Sequence, residues 1–149
     1  MTDRRAFIVG VSAVALSTGC PTLAAAQTGQ GDIRNVLKGL VGDLTPVEGR
    51  ISLSLPETAE NGNTIPYTVT VDSPMFDTEY VKAVHLLAPA NPHPLIASFY
   101  FTPASGRASV TSRMRLAQTQ EVMAIAEMSD GALFMIKRSV RVTVGGCGG

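Results

Sequence analysis

The chain has 149 residues, which suggests one domain, and its 12 basic and 12 acidic residues give a formal net charge of +0. Because there is no basic excess, the charge does not indicate nucleic-acid binding. Tryptophan is absent and only 5% of the residues are aromatic, so no stacking platform for bases or sugars is evident. Hydrophobic residues make up 45% of the chain, which is enough for a compact core.

Residues 1–26 have the pattern of an export signal. Arg4 and Arg5 precede a moderately apolar segment at 7–16, and the small residues 24–26 fit a cleavage site. The apolar segment is too short to span a membrane as a permanent helix. We therefore interpret 1–26 as a twin-arginine signal that is removed, which predicts a periplasmic protein without membrane association after removal.

Removal of this signal changes the number of cysteines. The full chain has two, Cys20 and Cys147. The tripeptide at 18–20 is similar to a lipoprotein cleavage site, but Ser17 stands where an aliphatic residue is expected, so we favour cleavage after Ala26 and loss of Cys20. The mature chain then keeps one thiol in an oxidising compartment, where proteins usually pair their cysteines. That thiol bonds outside its own chain, stays reactive or has no role.

Hydrophobic periodicity predicts one short helix followed by strands. Apolar side chains at helical spacing predict a helix at 32–41, with Asp32 as its N-terminal cap and Gly42 at its end. Period-two alternation and apolar runs then indicate strands separated by turns rich in Gly, Pro, Asn and Asp. The strand candidates are 50–55, 64–72, 80–87, 95–102, 107–116, 121–128, 132–138 and 140–144.

These strands predict an all-β fold. About seven short strands with regular turns and no βαβ alternation favour an antiparallel β-sandwich of immunoglobulin-like type. We expect one domain at 27–144 that includes the helix, with no internal repeat. The Cys…Trp…Cys pattern of antibody domains is absent, so the likeness is one of architecture.

The last five residues, 145–149, read Gly-Gly-Cys-Gly-Gly. Because glycine has no side chain and the widest φ/ψ range, we expect a thin, mobile arm that does not pack, formed by Gly145, Gly146, Cys147, Gly148 and Gly149. Extended, five or six residues reach roughly 16–20 Å. A cysteine pKa near about 8.5 leaves a few per cent thiolate at neutral pH, unless a partner's cationic pocket raises that fraction. Reversible S–S attachment on this cysteine is the chemistry that the pattern favours.

The chain resembles the SoxY family, the sulfur-carrier subunits of the bacterial thiosulfate-oxidising Sox system. The resemblance covers essentially the whole mature region, and the leader agrees with it. It rests on NGNTIPYTVTVDSPM (61–75), FTPASGRASV (101–110), RLAQTQ (115–120), AEMSDG (126–131) and VTVGGCGG (142–149). It implies a carrier protein, not an enzyme, that holds thiosulfate-derived sulfur covalently on Cys147 and has no catalytic residue and no cofactor of its own.

The resemblance also implies partners. It predicts a heterodimer with a SoxZ-like subunit, and transient contacts with three enzymes. A SoxAX-type haem enzyme would couple thiosulfate to Cys147, a SoxB-type hydrolase would remove the terminal sulfone group as sulfate, and a SoxCD-type sulfur dehydrogenase would oxidise the remaining sulfur. The apolar runs at 84–90 and 132–136 are candidates for an interface, although core strands explain them equally well.

Two other functions stay open at this point. A ubiquitin-like thiocarboxylate sulfur carrier also ends in Gly-Gly, here Gly148-Gly149, although its activation needs ATP and its fold has a long central helix. A periplasmic immunoglobulin-like adaptor would use Cys147 for an intermolecular disulfide. The intact mass of protein purified without reductant distinguishes these functions from the Sox carrier.

The other chemistry-bearing residues are assigned to the fold. His85 lies in a strand-like run and His93 in a Pro-rich turn, and no spacing ties them to each other or to a carboxylate. We therefore favour structural histidines and expect no metal. Met114 and Met128 fit inward faces of alternating strands, which favours core positions over copper binding.

Overall fold

One α-helix, nine strands and a single 3-10 turn at Pro103–Ser105 form the part of the chain, residues 28–146, that this computed structural model describes. The predicted export signal with Cys20, and the tail residues Cys147, Gly148 and Gly149, lie outside that range. The elements are α1 (Thr28–Val41), β1 (Val47–Glu48), β2 (Ile51–Ser54), β3 (Thr58–Asn61), β4 (Ile65–Val71), β5 (Val81–Leu87), β6 (Leu95–Tyr100), β7 (Ala108–Met114), β8 (Gln120–Met128) and β9 (Leu133–Val144).

Helix α1 begins earlier than the periodicity indicates and ends where expected. It starts at Thr28, so Asp32 lies inside the helix and the predicted cap is wrong. After Val41, Gly42 takes a left-handed φ of 68° and its N–H donates to the carbonyl of Lys38 at 3.0 Å. Among the described residues, no helix combines the length and the apolar character needed to cross a membrane.

The strands form two sheets that share one core. The larger sheet has the order β1-β9-β8-β5-β6, with β3 also paired to β9, and the smaller sheet has the order β2-β4-β7. Pairing is antiparallel throughout, except that the short strands β1 and β3 run parallel to β9. This is an immunoglobulin-like β-sandwich, as predicted.

Period-two alternation builds the core between the sheets. Along β4 every second side chain is buried, from Ile65 to Val71, while the intervening Pro66 is exposed. The facing strand β8 contributes a second buried row, and Met114 and Met128 lie in the same core, which confirms their predicted positions. The row from β8 consists of Val122, Ala124, Ala126 and Met128. Burial of one face of each strand therefore explains most of the alternation between buried and exposed side chains.

Strand β5 departs from this alternation because both of its faces are covered. Val84 and Leu86 belong to the core between the sheets, and the alternate residues His85 and Leu87 are buried as well. A strand covered on both faces reads as a continuous apolar run. The run at 84–90 therefore packs within this chain, and its suggested use as an exposed interface is wrong for the buried residues.

The structure has more strands than the sequence indicates. The candidates at 132–138 and 140–144 are one continuous strand, β9, and the sequence pattern did not indicate β1 or β3. Strand β3 reads Thr-Ala-Glu-Asn and has only one buried side chain, Ala59, so it has no recognisable apolar period. It exists because its backbone pairs with the end of β9, where Asn61 lies opposite Val144. This pairing brings the residue after β3 to the base of the tail.

Candidate functional site

The base of the tail is tied into the fold by a series of backbone hydrogen bonds. The N–H of Gly62, directly after β3, donates to the carbonyl of Val144 at 2.8 Å. The N–H of Leu116, shortly after β7, donates to the carbonyl of Gly62 at 2.8 Å, and the N–H of Gly146 donates to the carbonyl of Leu116 at 2.9 Å. Gly146 is buried although it is the last described residue.

The backbones approach so closely here that side chains do not fit. A Cβ atom on Gly146 would lie 2.6 Å from the carbonyl carbon and oxygen of Gly62 and 2.8 Å from the nitrogen of Asn63. A Cβ atom on Gly145 would overlap the carbonyl oxygen of Ala117, and one on Gly62 would lie 2.5 Å from the nitrogen of Gly146. Hydrogen-bonded backbone cannot move aside as the end of a flexible side chain would. We call this contact of Gly62, Gly145 and Gly146 the glycine junction.

The glycine junction corrects the expectation that the whole tail is unpacked. Gly145 and Gly146 lie against neighbouring backbone, so they are not the first residues of a free arm. Because glycine has no side chain, it is flexible, but it also allows two backbones to lie close together. At Gly145 and Gly146 the structure shows the close backbone contact. Mobility of Cys147, Gly148 and Gly149 stays a prediction, because these residues lie outside the described range.

Asn91 supports the segment that receives the tail. Its Nδ2 donates to the carbonyl of Arg115 at 2.8 Å. Its Oδ1 accepts from the N–H of Ala117 at 2.9 Å and from Nε2 of Gln120 at 2.9 Å. The turn after β5 thereby holds the turn after β7 from both sides of Leu116, whose carbonyl accepts the tail hydrogen bond.

A cavity of about 360 Å³ opens beside the glycine junction. Two of its lining residues are arginines, and none of its described lining residues is acidic. It is lined by Asn63, Asn91, His93, Leu95, Ile96, Arg113, Met114 and Arg115. Asn63 and Arg115 are the chain neighbours of Gly62 and Leu116, which hold the tail. The cavity therefore presents positive charge next to the point where the described chain ends.

The two histidines lie in different surroundings. His85 is buried, its Nδ1 is 2.8 Å from Oγ of Ser98, and its ring meets the Tyr100 ring edge-on at 6.3 Å between centroids. Burial lowers the pKa of His85 from its ordinary 6.5, and the charge of Glu127 acts in the opposite direction. This confirms a structural role for His85, whereas His93 is exposed and lines the cavity. Within residues 28–146, no group of three or more His, Cys, Asp or Glu residues is arranged to hold a metal ion.

Sequence patterns identify the tail but not what holds it. They predict a turn at 61–63 and another at 89–94, and nothing in either turn indicates contact with the tail. Gly62, Asn91 and the arginines at 113 and 115 are therefore site residues that the sequence analysis missed. The one available signal was the glycine at the centre of Asn-Gly-Asn, since an isolated glycine often marks close backbone approach.

Residues 37–147 match the family model described as sulfur oxidation protein SoxY. The chain belongs to the SoxY family. Among solved structures, it is 30% identical to the sulfur carrier protein SoxY from Chlorobium limicola f thiosulfatophilum, with a TM-score of 0.65 over 76% of this chain and 98% of that chain. The SoxY family match includes both the glycine junction and Cys147.

Other solved structures share the fold alone. A superoxide reductase (neelaredoxin) from Ignicoccus hospitalis is 16% identical, with a TM-score of 0.56 over 63% of this chain and 80% of that chain. A superoxide reductase from Nanoarchaeum equitans is 12% identical, with a TM-score of 0.55 over 65% of this chain and 100% of that chain. The search of curated proteins found no match.

Proposed function

We propose that this SoxY-family protein is a sulfur carrier that holds thiosulfate-derived sulfur covalently on Cys147 and presents it to the enzymes of the Sox pathway. The observation that carries the proposal is the place of this cysteine in the chain. It follows Gly146, the last described residue, which is anchored in the glycine junction, and it lies within the SoxY family match. The solved SoxY protein that resembles this chain over three quarters of its length is itself a sulfur carrier.

The chemistry requires a thiolate and an external acceptor of electrons. Coupling of the Cys147 thiolate to the outer sulfur of thiosulfate forms one S–S bond and releases two electrons, which a haem enzyme of the SoxAX type accepts. Water then cleaves the bond between the two sulfurs of the thiosulfate unit, in a SoxB-type hydrolase. Sulfate and protons leave, and a persulfide stays on Cys147 for further oxidation by a SoxCD-type sulfur dehydrogenase. The carrier supplies the attachment atom and its position, and the partner enzymes supply the catalytic groups.

The cavity beside the glycine junction supports this use of the tail. A thiolate and a bound thiosulfonate are both anionic, and Arg113 and Arg115 line a cavity that also includes Asn63, the chain neighbour of Gly62. Positive charge near a cysteine lowers its pKa and raises the thiolate fraction. We therefore propose that this chain supplies part of the activating charge that the sequence analysis expected from a partner.

We further propose the compartment and the stable partner. The twin-arginine pattern at 1–26 directs export to the periplasm, where the chain pairs with a SoxZ-like subunit. The supports for these two proposals are the leader sequence and membership of the SoxY family.

The decisive experiment is a serine substitution in a reconstituted system with thiosulfate-dependent cytochrome reduction as the readout. We expect Cys147→Ser to abolish cytochrome reduction and Ser139→Ala, a small change at an exposed position of β9, to leave it at the parental rate. Parental activity of Cys147→Ser would contradict the proposal. Intact mass without reductant tests the alternatives: adducts lost on reduction support the carrier, a plain disulfide dimer supports an adaptor, and a modified terminal carboxyl supports a thiocarboxylate carrier.

A further inference from the structure

Glycines from two distant parts of the sequence meet at the base of the tail. Gly62 follows β3, and Gly145 and Gly146 follow β9. The carbonyl of Gly62 and the nitrogen of Asn63 occupy the space that a Cβ atom on Gly146 would need. Reciprocally, a Cβ atom on Gly62 would lie 2.5 Å from the nitrogen of Gly146. Both sides of the contact therefore require glycine.

The hydrogen bond of Gly146 is not needed to complete a strand. Strand β9 ends at Val144, and the bond from Gly62 to Val144 already ties β3 to that end. The additional bond from Gly146 to the carbonyl of Leu116 restrains only the residue that precedes Cys147. It fixes the departure point of the tail and adds nothing to the sheet.

We propose that Gly62 is a positioning residue of the carrier tail, because the slot it forms with Leu116 fixes Gly146 and so sets the place and the reach of Cys147. This inference rests on the proposed function for its catalytic meaning, but the slot itself is a property of the fold. A positioning role for Gly62 assigns function to a loop that otherwise only connects β3 to β4.

Fixing Gly146 shortens the reach of the thiol. Consecutive Cα atoms lie about 3.8 Å apart, so the sulfur of Cys147 stays within roughly 7 Å of the Cα of Gly146 while the slot is occupied. An arm that began at Gly145 would reach roughly twice as far. An enzyme that acts on the cargo must therefore approach the protein surface around Asn63 and Arg115. In return, fewer residues lose conformational freedom when the tail enters the enzyme.

The test adds one methyl group, by a glycine-to-alanine substitution, either directly before Cys147 or directly after it. In 15N-labelled protein, water-exchange NMR measures the amide of residue 146. We expect exchange at least about tenfold slower than in an unstructured peptide, because this amide is buried and hydrogen-bonded. Gly146→Ala should bring exchange to within about twofold of the peptide rate, and Gly148→Ala should leave it slow. Gly62→Ala should release the Gly146 amide in the same way.

Kinetics with the thiosulfate-coupling enzyme separate positioning from folding. With the carrier as the varied substrate, we expect Gly146→Ala to raise KM by about tenfold with kcat unchanged, because additional residues must be ordered on binding. The existence of the slot is refuted if the parental Gly146 amide exchanges at the peptide rate, or if the amide of residue 146 still exchanges slowly in Gly146→Ala. Its positioning role is overturned if exchange is released and KM does not change. Neither exchange result depends on Cys147 chemistry, so failure of the proposed function is recognised separately by the Cys147→Ser variant.

Discussion

Asn91→Ala is the sharpest test of how the tail-binding segment is supported. The Asn91 side chain makes three hydrogen bonds, to the carbonyl of Arg115, the N–H of Ala117 and Nε2 of Gln120. Each such bond contributes roughly 0.5–1.5 kcal/mol net, and because Asn91 is only half-buried, water replaces part of each contribution. We therefore expect the free energy of unfolding to fall by about 2 kcal/mol.

Urea titration followed by circular dichroism measures this loss. With a slope of about 1.5 kcal/mol per molar urea, a loss of about 2 kcal/mol lowers the midpoint by about 1.3 M. Gln118→Ala is the matched control, because Gln118 is exposed, lies in the turn after β7 that Asn91 holds, and contributes only its carbonyl to the hydrogen bonds around Asn91. It should leave the midpoint within about 0.3 M of the parental value. An Asn91→Ala midpoint equal to the parental one, or an equal drop in the control, would refute the assigned role.

Two further predictions concern charge. We expect the double variant Arg113→Gln, Arg115→Gln to slow iodoacetamide labelling of Cys147 at neutral pH and low salt by about threefold, because two positive charges no longer favour the thiolate. Added salt should reduce the difference in labelling rate between parent and variant. Equal labelling rates at low salt would contradict this prediction. His85 has a lowered pKa in the folded state, so as pH falls through 6.5 the unfolded state binds a proton that folded His85 does not. The free energy of unfolding should therefore decline from about pH 7.5 to about pH 5.5, and less steeply in His85→Gln; identical slopes in denaturant titrations would show that this histidine does not contribute.

Local sequence signals account for the sandwich core and for the presence of a Gly-Gly-Cys-Gly-Gly tail. Alternation in β4, from Ile65 to Val71, is confirmed because one face of that strand is covered and the other is not. It does not extend to β5, which was predicted as a strand from its apolar run and whose buried His85 shows that the second face is covered as well. Strand β3 was missed because a polar segment with one buried side chain carries no periodic signal, and only its partner β9 makes it a strand.

The sequence by itself determined the all-β class, the SoxY resemblance and the cysteine on which the proposed chemistry depends, because alternation and motif spacing are local properties of a chain. Only the tertiary structure decided that Gly145 and Gly146 are held, that Gly62 receives them and that Asn91 braces the receiving segment. The physical reason is that glycine's lack of a side chain permits both free rotation and close backbone contact. Which of the two occurs depends on whether another backbone, distant in sequence, lies close enough to accept a hydrogen bond.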